Sequence, residues 1–291
     1  MIHEKIDFIG SHDNLIAGDL YRPATPDPQK NALLVHGGGQ TRHSWGGTAR
    51  KLAENGWTAI IVDQRGHGDS DWHADGEYEF TAFANDLSAI AEQIRQRFGS
   101  APVSIGASLG GIASMLAQGE TDKVVLSALV LVDITPRIKQ EGVEKILGFM
   151  SKNAEQGFAS LEEAADAISA YLPHRPRPKN LNGLAKNLRK HEDGRYRWHW
   201  DPRFISQKDP ASADAWQERE RRLSKAAAGL HIPVLLVRGQ QSELVEKSEV
   251  DEFLKLVPHA SYTDVSDAGH MIAGDKNDVF TDAVLGFLKT V

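Results

Sequence analysis

The chain has 291 residues, of which 41% are hydrophobic and 25% are charged, and its formal net charge is −7. This length and apolar content suffice for one large α/β domain, and the acidic balance argues against a nucleic-acid-binding protein, which needs a basic surface. The complete absence of cysteine excludes disulfides, a cysteine nucleophile and thiolate metal sites.

The amino-terminal segment MIHEKIDFIGSHDN alternates charged and apolar residues and lacks the unbroken apolar core of a signal peptide. No apolar run approaches the roughly 20 residues that are needed to cross a bilayer. We therefore expect a soluble, cytoplasmic protein with no membrane partner. Residue order does not predict its oligomeric state.

From the amino terminus to about Ile134, short β-branched runs alternate with segments of helical periodicity. Nearly continuous apolar runs are typical of parallel strands covered on both faces, so this alternation predicts a parallel sheet with crossover helices. The predicted strands are Ile6–Ile9, Leu15–Tyr21, Ala32–Val35, Thr58–Val62, Val103–Ile105 and Ala128–Val132, and the predicted helices are Trp45–Asn55, Phe83–Phe98 and Leu109–Gln118.

The composition changes after Pro136, where the chain becomes highly charged and helical with no convincing strand. The earlier alternation resumes at Ile232. We therefore predict a core made of residues 1–135 and 231–291, interrupted by a helical insertion at residues 136–230. The later predicted elements are strands Val234–Val237 and Ala260–Val265 and helices Glu249–Leu256 and Val279–Val291.

The nucleophile is predicted from the segment GASLGG, residues 106–111, which lies between a strand and a helix. G-x-S-x-G in this context places a serine on a tight turn at the edge of the sheet. Glycine is required on both sides because side chains at Gly106 and Gly110 would clash with the neighbouring strand and helix. The helix amino terminus supplies free N–H groups for developing negative charge. Ser108 is therefore the predicted nucleophile.

A serine hydroxyl needs a base to accept its proton and an acid to orient that base. In chain order the histidine comes last, which selects His270 in SDAGHM after the final strand. Two carboxylates are candidates for the acid. Glu243, in the loop after Val234–Val237, is preferred, and Asp133, at the end of the strand LVLVD, is the alternative.

Two backbone N–H groups are predicted to hold the oxyanion of a tetrahedral intermediate. One belongs to Leu109, the residue after the nucleophile. The second comes from the segment HGGG, residues 36–39, where glycine lets the backbone approach a substrate oxygen. Gly38 is the first choice for this donor and Gly39 is the alternative.

These motifs together resemble the α/β-hydrolase superfamily, in the order that the family shows over nearly the whole chain. The resemblance implies an eight-stranded, mostly parallel sheet with helices on both faces and a helical cap inserted after the sixth strand. The branch that the chain resembles includes bacterial esterases, cofactor-free haloperoxidases and epoxide hydrolases. The matching segments are HGGG (36–39), DQRGHGDSD (63–71), GASLGG (106–111), VRGQQSE (237–243) and GHMIAGD (269–275).

Two departures from the family pattern bear on the chemistry. Epoxide hydrolases and haloalkane dehalogenases carry aspartate at the elbow, whereas this chain has Ser108, which argues against attack on an epoxide or alkyl halide. The acid loop carries glutamate where most relatives carry aspartate, which keeps Asp133 open as the acid.

Substrate-binding residues are expected in two places that would flank the sheet edge. Arg42, His43 and Trp45 follow the HGGG segment and would either line the site or simply cover the sheet. Within the insertion, RYRWHWDPRF is dense in aromatic and cationic groups, and the alternative to substrate binding is packing of the cap with Arg203 paired to Asp201. The candidates in this segment are Trp198, His199, Trp200 and Arg203.

The leading hypothesis is a hydrolase of a small carboxylic ester or lactone that forms an acyl-enzyme on Ser108 and needs no cofactor or metal. A C–C bond hydrolase or a perhydrolase would use the same apparatus. A ligand receptor that keeps the hydrolase fold is an alternative from another class. A metal hydrolase built on His36, Asp63, His67 and Asp69 is a weaker alternative, because these residues lack a helix-based ligand spacing.

Overall fold

The computed structural model describes residues 1–173, 177, 180–206, 213–266, 268–270, 272 and 277–291. Its ten strands are β1 (Ile2–Ile9), β2 (Leu15–Arg22), β3 (Asn31–Val35), β4 (Thr58–Val62), β5 (Val103–Ala107), β6 (Ala128–Val132), β7 (Leu188–Lys190), β8 (Tyr196–Trp198), β9 (Val234–Gly239) and β10 (Ser261–Val265). Its α-helices are α1 (Gly46–Glu54), α2 (Phe80–Phe98), α3 (Leu109–Gly119), α4 (Gln140–Lys152), α5 (Leu161–Tyr171), α6 (Arg203–Ser206), α7 (Ala213–Ala228), α8 (Lys247–Leu256) and α9 (Asn277–Leu288).

Eight of the strands form one sheet in the order β1-β2-β4-β3-β5-β6-β9-β10. β2 runs antiparallel to both of its neighbours, and every other pair in this sheet is parallel. The fully buried central strands β3, β4 and β6 are rich in valine, leucine and isoleucine, as expected for strands covered on both faces. The prediction of an eight-stranded, mostly parallel sheet is confirmed.

Helices cover both faces of the sheet and create two separate apolar layers. α1 and α9 pack on one face, where Leu52 and Phe280 join the core. α2, α3, α7 and α8 pack on the other face, where Phe83 and Phe253 are buried. The core predicted from the alternating pattern therefore has the two covered faces that a parallel sheet requires.

Register brings the carboxyl ends of the central strands to one edge of the sheet. Val35 of β3 is paired with Gly106 of β5, and Ala107 of β5 is paired with Val132 of β6. β9 lies on the other side of β6. Loops that follow β3, β5, β6 and β9 therefore meet at this edge, which is where ligands bind in open α/β sheets.

The segment between β6 and β9 differs from the predicted all-helical insertion in one respect. β7 and β8 form a small antiparallel hairpin, closed by a turn in which Gly194 has φ of +80°. The Asp193-Gly194 pair is a turn signal that explains the hairpin, because glycine adopts positive φ without steric penalty. The helical prediction for residues 188–198 is therefore wrong.

The last helix of the same segment packs on the core rather than on the hairpin. A Cβ added to Gly119 of α3 would lie 2.0 Å from the carbonyl oxygen of Ala226 in α7, so the two helices touch through their backbones. α7 thus belongs to the helical layer that covers the sheet. The part of the predicted insertion that lies outside this layer ends before α7. The domain boundaries at residues 136 and 230 stay a prediction.

None of the helices in the described part of the chain is both long and apolar enough to cross a membrane.

Candidate active site

Ser108 occupies a strained turn between β5 and α3. Its backbone has φ of +47° and ψ of −113°, a combination that is rare for a residue with a side chain. A Cβ at Gly106 would lie 2.5 Å from the Gly110 carbonyl oxygen, and a Cβ at Gly110 would lie 2.4 Å from the Val35 carbonyl oxygen. The expected crowding around both glycines is confirmed, and strain of this kind is concentrated at functional sites.

His270 contacts the carboxylate of Asp133. The distance between His270 Nδ1 and Asp133 Oδ2 is 2.7 Å, and the Asp133 side chain is fully buried. A carboxylate only accepts hydrogen bonds, so the imidazole donates from Nδ1–H and carries its lone pair on Nε2. This is the tautomer that a general base requires.

The same carboxylate is held by two further donors at the end of β9. The Gly239 N–H donates to Asp133 Oδ1 over 3.0 Å, and the Ser242 hydroxyl donates to Asp133 Oδ2 over 2.5 Å. Ser242 Oγ also accepts the N–H groups of Leu244 and Val245, which fixes the hydroxyl in place. Ser242 was not identified from the sequence. Its position next to Glu243, in the loop where the acid was predicted, is the sequence feature that could have indicated it.

Glu243, the preferred acid, lies elsewhere. Its backbone packs under α4, since a Cβ added to Gly142 would lie 2.4 Å from the Glu243 carbonyl oxygen. Burial raises the pKa of Tyr171 in α5 to about 12, with the charge of Glu243 as the second cause, so this carboxylate lies near α5. The prediction that placed Glu243 against His270 is wrong, and the alternative, Asp133, is the carboxylate that the structure brings there.

The glycine loop after β3 lies beside Ser108. A Cβ added to Gly37 would be 3.3 Å from Ser108 Cβ. The Gly39 N–H donates to His67 Nε2 over 3.0 Å, so Gly39, the alternative oxyanion donor, is already engaged and that alternative is wrong. Within the described residues, no protein acceptor takes the N–H of Gly38 or of Leu109. Both groups therefore stay candidates for the oxyanion donors.

His36 and His67, which suggested a metal hydrolase, form hydrogen bonds with backbone groups instead. The Gln64 N–H donates to His36 Nε2 over 3.0 Å, and His36 Nδ1 lies 2.7 Å from the Gly37 carbonyl oxygen, so both ring nitrogens are used. Burial lowers the pKa of His36 and keeps this ring neutral. Asp63 is bound to Arg42. The metal centre proposed on His36, Asp63, His67 and Asp69 is therefore wrong.

Arg42 is a structural residue. Its guanidinium donates to Asp19 over 3.1 Å, to Asp69 over 3.0 Å and also to Asp63. Burial disfavours its charge, but Asp63 and Asp19 outweigh burial and raise the pKa of Arg42. The prediction that Arg42 binds substrate is wrong, because its donors are consumed in this buried network.

Trp45 is also structural. Its side chain is 1% exposed and packs against Phe280 of α9 in the apolar layer on one face of the sheet. Substrate binding by Trp45 is therefore contradicted. His43, placed with it in the sequence, has a pKa that burial lowers.

Three apolar side chains contact the glycine loop from the inserted segment. A Cβ at Gly38 would lie 2.9 Å from Phe204 Cζ, and a Cβ at Gly39 would lie 2.7 Å from Met150 Cε and 3.7 Å from Trp200 Nε1. Trp200 was predicted to line the site. Phe204 and Met150 were missed, although Phe204 closes the aromatic segment RYRWHWDPRF.

The other candidates in that segment have structural contacts. Trp198 packs edge-on against Phe158, and both belong to the same apolar cluster as Phe83 and Phe253. Burial lowers the pKa of His199, whose backbone accepts the Gly68 N–H. Arg203 donates to both carboxylate oxygens of Asp201 and to two carbonyl oxygens of the loop after β4, so the structure shows the alternative, in which Arg203 is paired to Asp201. Of the final motif GHMIAGD, residues 271 and 273–275 lie outside the described residues.

Comparison with known proteins places this arrangement in a family. The family model for the alpha/beta hydrolase fold matches residues 33–276. The chain is 28% identical over 264 residues to the esterase Rv0045c of Mycobacterium tuberculosis, covering 89% of this chain and 82% of that protein. It is 26% identical over 253 residues to the 3-hydroxybutyrate-oligomer hydrolase of Cupriavidus necator, covering 84% of each.

A solved structure shows the same fold from end to end. The crystal structure of E-2-(acetamidomethylene)succinate hydrolase superposes with a TM-score of 0.81 over 99% of this chain and 100% of that chain, at 20% sequence identity. Such low identity supports the fold alone. With the family match over most of its length, the chain belongs to the α/β-hydrolase fold family.

Proposed function

We propose that this protein hydrolyses a small carboxylic ester or lactone through an acyl-enzyme on Ser108. The observation that carries the proposal is the 2.7 Å hydrogen bond between His270 Nδ1 and the fully buried Asp133. It prepares His270 Nε2 to accept a proton at the sheet edge where Ser108 lies on its strained turn.

The proposed reaction has two stages, acylation of Ser108 and hydrolysis of the acyl-enzyme. Ser108 Oγ attacks the acyl carbon while its proton passes to His270 Nε2, and the carbonyl electron pair moves onto oxygen. The N–H groups of Gly38 and Leu109 stabilise that oxyanion. Collapse of the intermediate expels the alkoxide, which takes the proton from Nε2. Water then attacks the acyl-enzyme, His270 again transfers the proton, and the acid leaves with Ser108 restored.

Asp133 supports each proton transfer without changing its own protonation. Its carboxylate stabilises the imidazolium that forms when Nε2 is protonated. The hydrogen bonds from Gly239 and Ser242 hold the carboxylate in position for this role. These two additional donors fix the orientation of the carboxylate, so that it does not rotate away from the imidazole.

The surroundings of the glycine loop favour an uncharged substrate. Phe204 places apolar atoms against Gly38, Met150 places its side chain against Gly39, and Trp200 adds an uncharged indole nitrogen near Gly39. Two arginines that were substrate-binding candidates, Arg42 and Arg203, are engaged by aspartates. The named activities of the relatives in M. tuberculosis and C. necator, an esterase and an oligomer hydrolase, agree with ester cleavage.

Labelling with a fluorophosphonate tests the activated serine. Mass spectrometry should locate one adduct on Ser108, absent in Ser108→Ala and strongly slowed in His270→Ala. Asp133→Asn should also slow labelling, whereas Glu243→Gln, its matched control, should label like the parent chain. No labelling of folded protein would overturn the proposal and move the ligand-receptor alternative forward.

Turnover assays then separate the reaction classes that share this apparatus. We expect repeated turnover of p-nitrophenyl acetate, p-nitrophenyl butyrate and a small lactone. Labelling at Ser108 without turnover of any of these compounds, but with cleavage of a β-diketone, would instead assign C–C bond hydrolysis.

A further inference from the structure

Three potential metal ligands meet outside the active site, where the turn between β1 and β2 touches the loop after β4. His12 comes from the turn, and His73 and Glu77 come from the loop. His12 Nδ1 lies 3.2 Å from Glu77 Oε2, and His73 Nε2 lies 3.8 Å from the same oxygen. One ligand atom from each residue lies within 4.8 Å of the other two.

These separations suit a transition-metal ion. Zinc binds imidazole nitrogen and carboxylate oxygen at about 2.0–2.2 Å, so ligand atoms of a tetrahedral site lie about 3.3 Å apart. The pair His12–Glu77 already has that spacing. The distance from His73 Nε2 to Glu77 is longer by 0.6 Å, and the side chains of His12 and Glu77 are about half exposed, which leaves them free to turn toward His73. Two imidazoles and one carboxylate favour zinc, nickel or copper over magnesium or calcium.

The two segments that carry these ligands are held together by a buried ion pair. Arg65 donates twice to Asp86, and the side chains of both residues are almost fully buried. Arg65 also donates to the Glu77 carbonyl oxygen and to Ser11 Oγ, next to His12. The Ser11 N–H and hydroxyl donate to Asp86 in turn. The ligands are therefore preorganised by a rigid support, which lowers the entropy loss on metal binding.

Hydrogen bonds of its backbone groups also hold His73 in place. Its N–H donates to Tyr78 Oη over 3.1 Å, and its carbonyl oxygen accepts from Arg203. Tyr78 Oη donates to Asp201 Oδ2 over 2.6 Å, and the Tyr78 ring packs edge-on against Phe204. Phe204 is the side chain that contacts Gly38. The ligand-bearing loop is thus part of the packing that supports the glycine loop.

We propose that His12, His73 and Glu77 bind one divalent transition-metal ion of the zinc, nickel and copper group, which cross-links the β1–β2 turn to the loop after β4. The site is structural in role, since none of its ligands belongs to the Ser108, His270 and Asp133 arrangement. Water completes the coordination on the exposed side. The ion stabilises the folded chain because it binds three ligands that are together only after folding.

Calorimetry on the full chain tests the site. After treatment with EDTA and dialysis, zinc chloride is titrated into the parent protein and into His12→Ala and Glu77→Gln. We expect one zinc per chain for the parent and an affinity at least about tenfold weaker for each variant, since loss of a ligand costs no less than loss of its supporting partners. His231→Ala removes an exposed histidine in another loop and should bind zinc like the parent chain.

A second measurement keeps the test independent of folding. Cobalt chloride added to the parent should give the visible absorption of a low-coordinate nitrogen and oxygen site, and both variants should lose it. Circular dichroism verifies that the variants are folded, which the exposure of His12 and Glu77 makes the expected result. Equal zinc affinity in the parent, His12→Ala and Glu77→Gln, or no binding to the parent, would overturn the proposal.

Discussion

Asp133 Oδ2 accepts the Nδ1–H of His270 over 2.7 Å, across a separation of 137 residues in the chain. The contact depends on a backbone that turns sharply at the end of β6, where Asp133 has φ of +51°. Ser108, at the end of the adjacent strand β5, has φ of +47°. Two neighbouring strands thus end in strained residues that both face the site, and such strain persists only where the surrounding structure enforces it.

Replacement of the acid is the sharpest test of this relationship. Asp133→Asn keeps the size of the side chain but presents an amide to the imidazole, so the wrong tautomer is favoured. We expect kcat for a p-nitrophenyl ester to fall by roughly 10³ to 10⁴, with little change in KM. Steady-state kinetics at pH 7.5 measures both quantities.

Glu243→Gln is the matched control for that substitution. Glu243 packs against α4 and faces Tyr171, so we expect its kcat to stay within about threefold of the parent. A large loss of kcat in Glu243→Gln together with a mild effect in Asp133→Asn would reverse the assignment of the acid.

The sequence predicts the sheet and the tight turn at Ser108 well, because both depend on local patterns. Short apolar runs mark each buried strand, and the glycines around Ser108 are required by contacts that any such turn makes. The choice between Asp133 and Glu243 could not be made in this way. Both follow strands at the same sheet edge, and the outcome depends on a positive φ and on a hydrogen bond from Ser242.

The substrate-binding candidates failed for a related physical reason. Residue type alone suggests recognition by Arg42 and Arg203. Arg42 is engaged by Asp19 and Asp63, which are distant in the chain, and Arg203 is engaged by Asp201, the pairing that was the alternative to substrate binding. Met150 carries no chemical signal, and the signal of Phe204 is limited to its place at the end of the aromatic segment RYRWHWDPRF. They were found only because packing brings them against Gly38 and Gly39.

A pair of compensating substitutions at Gly38 and Phe204 tests the Gly38 N–H as the proposed oxyanion donor. In Gly38→Ala the new methyl group would lie 2.9 Å from Phe204 Cζ, so the loop must shift and the Gly38 N–H moves from its position. We expect kcat to fall by about 10²-fold, as for loss of one oxyanion donor. Phe204→Leu in the same chain makes room for the methyl group and should restore much of the loss.

The single variant Phe204→Leu serves as the control, and kcat for all three variants is measured with the same ester. If the double variant is no more active than Gly38→Ala, the defect does not come from contact with Phe204, and the packing explanation fails.

The buried ion pairs of Arg42 are predicted to raise the free energy of unfolding. Arg42→Met leaves Asp63 and Asp19 buried without their cation, which destabilises a protein by about 3–5 kcal/mol. Urea unfolding followed by tryptophan fluorescence measures the change. Arg222→Met removes an exposed pair with Glu120 and should have a much smaller effect. A folded Arg42→Met protein with unchanged stability but a raised KM would instead restore Arg42 as a substrate-binding residue.

Buried neutral histidines predict that stability decreases at acid pH. Burial lowers the pKa of His36, His43 and His199 in the folded chain, whereas in the unfolded chain these groups titrate near about 6.5. Below that pH the unfolded state binds more protons than the folded state, so the free energy of unfolding falls. For His36 alone the slope is at most about 1.4 kcal/mol per pH unit.

Urea unfolding at pH 7.5, 6.5 and 5.5 measures this dependence, and His36→Gln isolates one contribution. Gln cannot titrate, so we expect the variant to be less stable than the parent at pH 7.5 but to lose less stability between pH 6.5 and 5.5. The difference in slope reports His36 directly, because every other titrating group is common to both chains. Parallel pH profiles for the two chains would mean that His36 accepts a proton in the folded state, contrary to the hydrogen bond that its Nε2 accepts from Gln64.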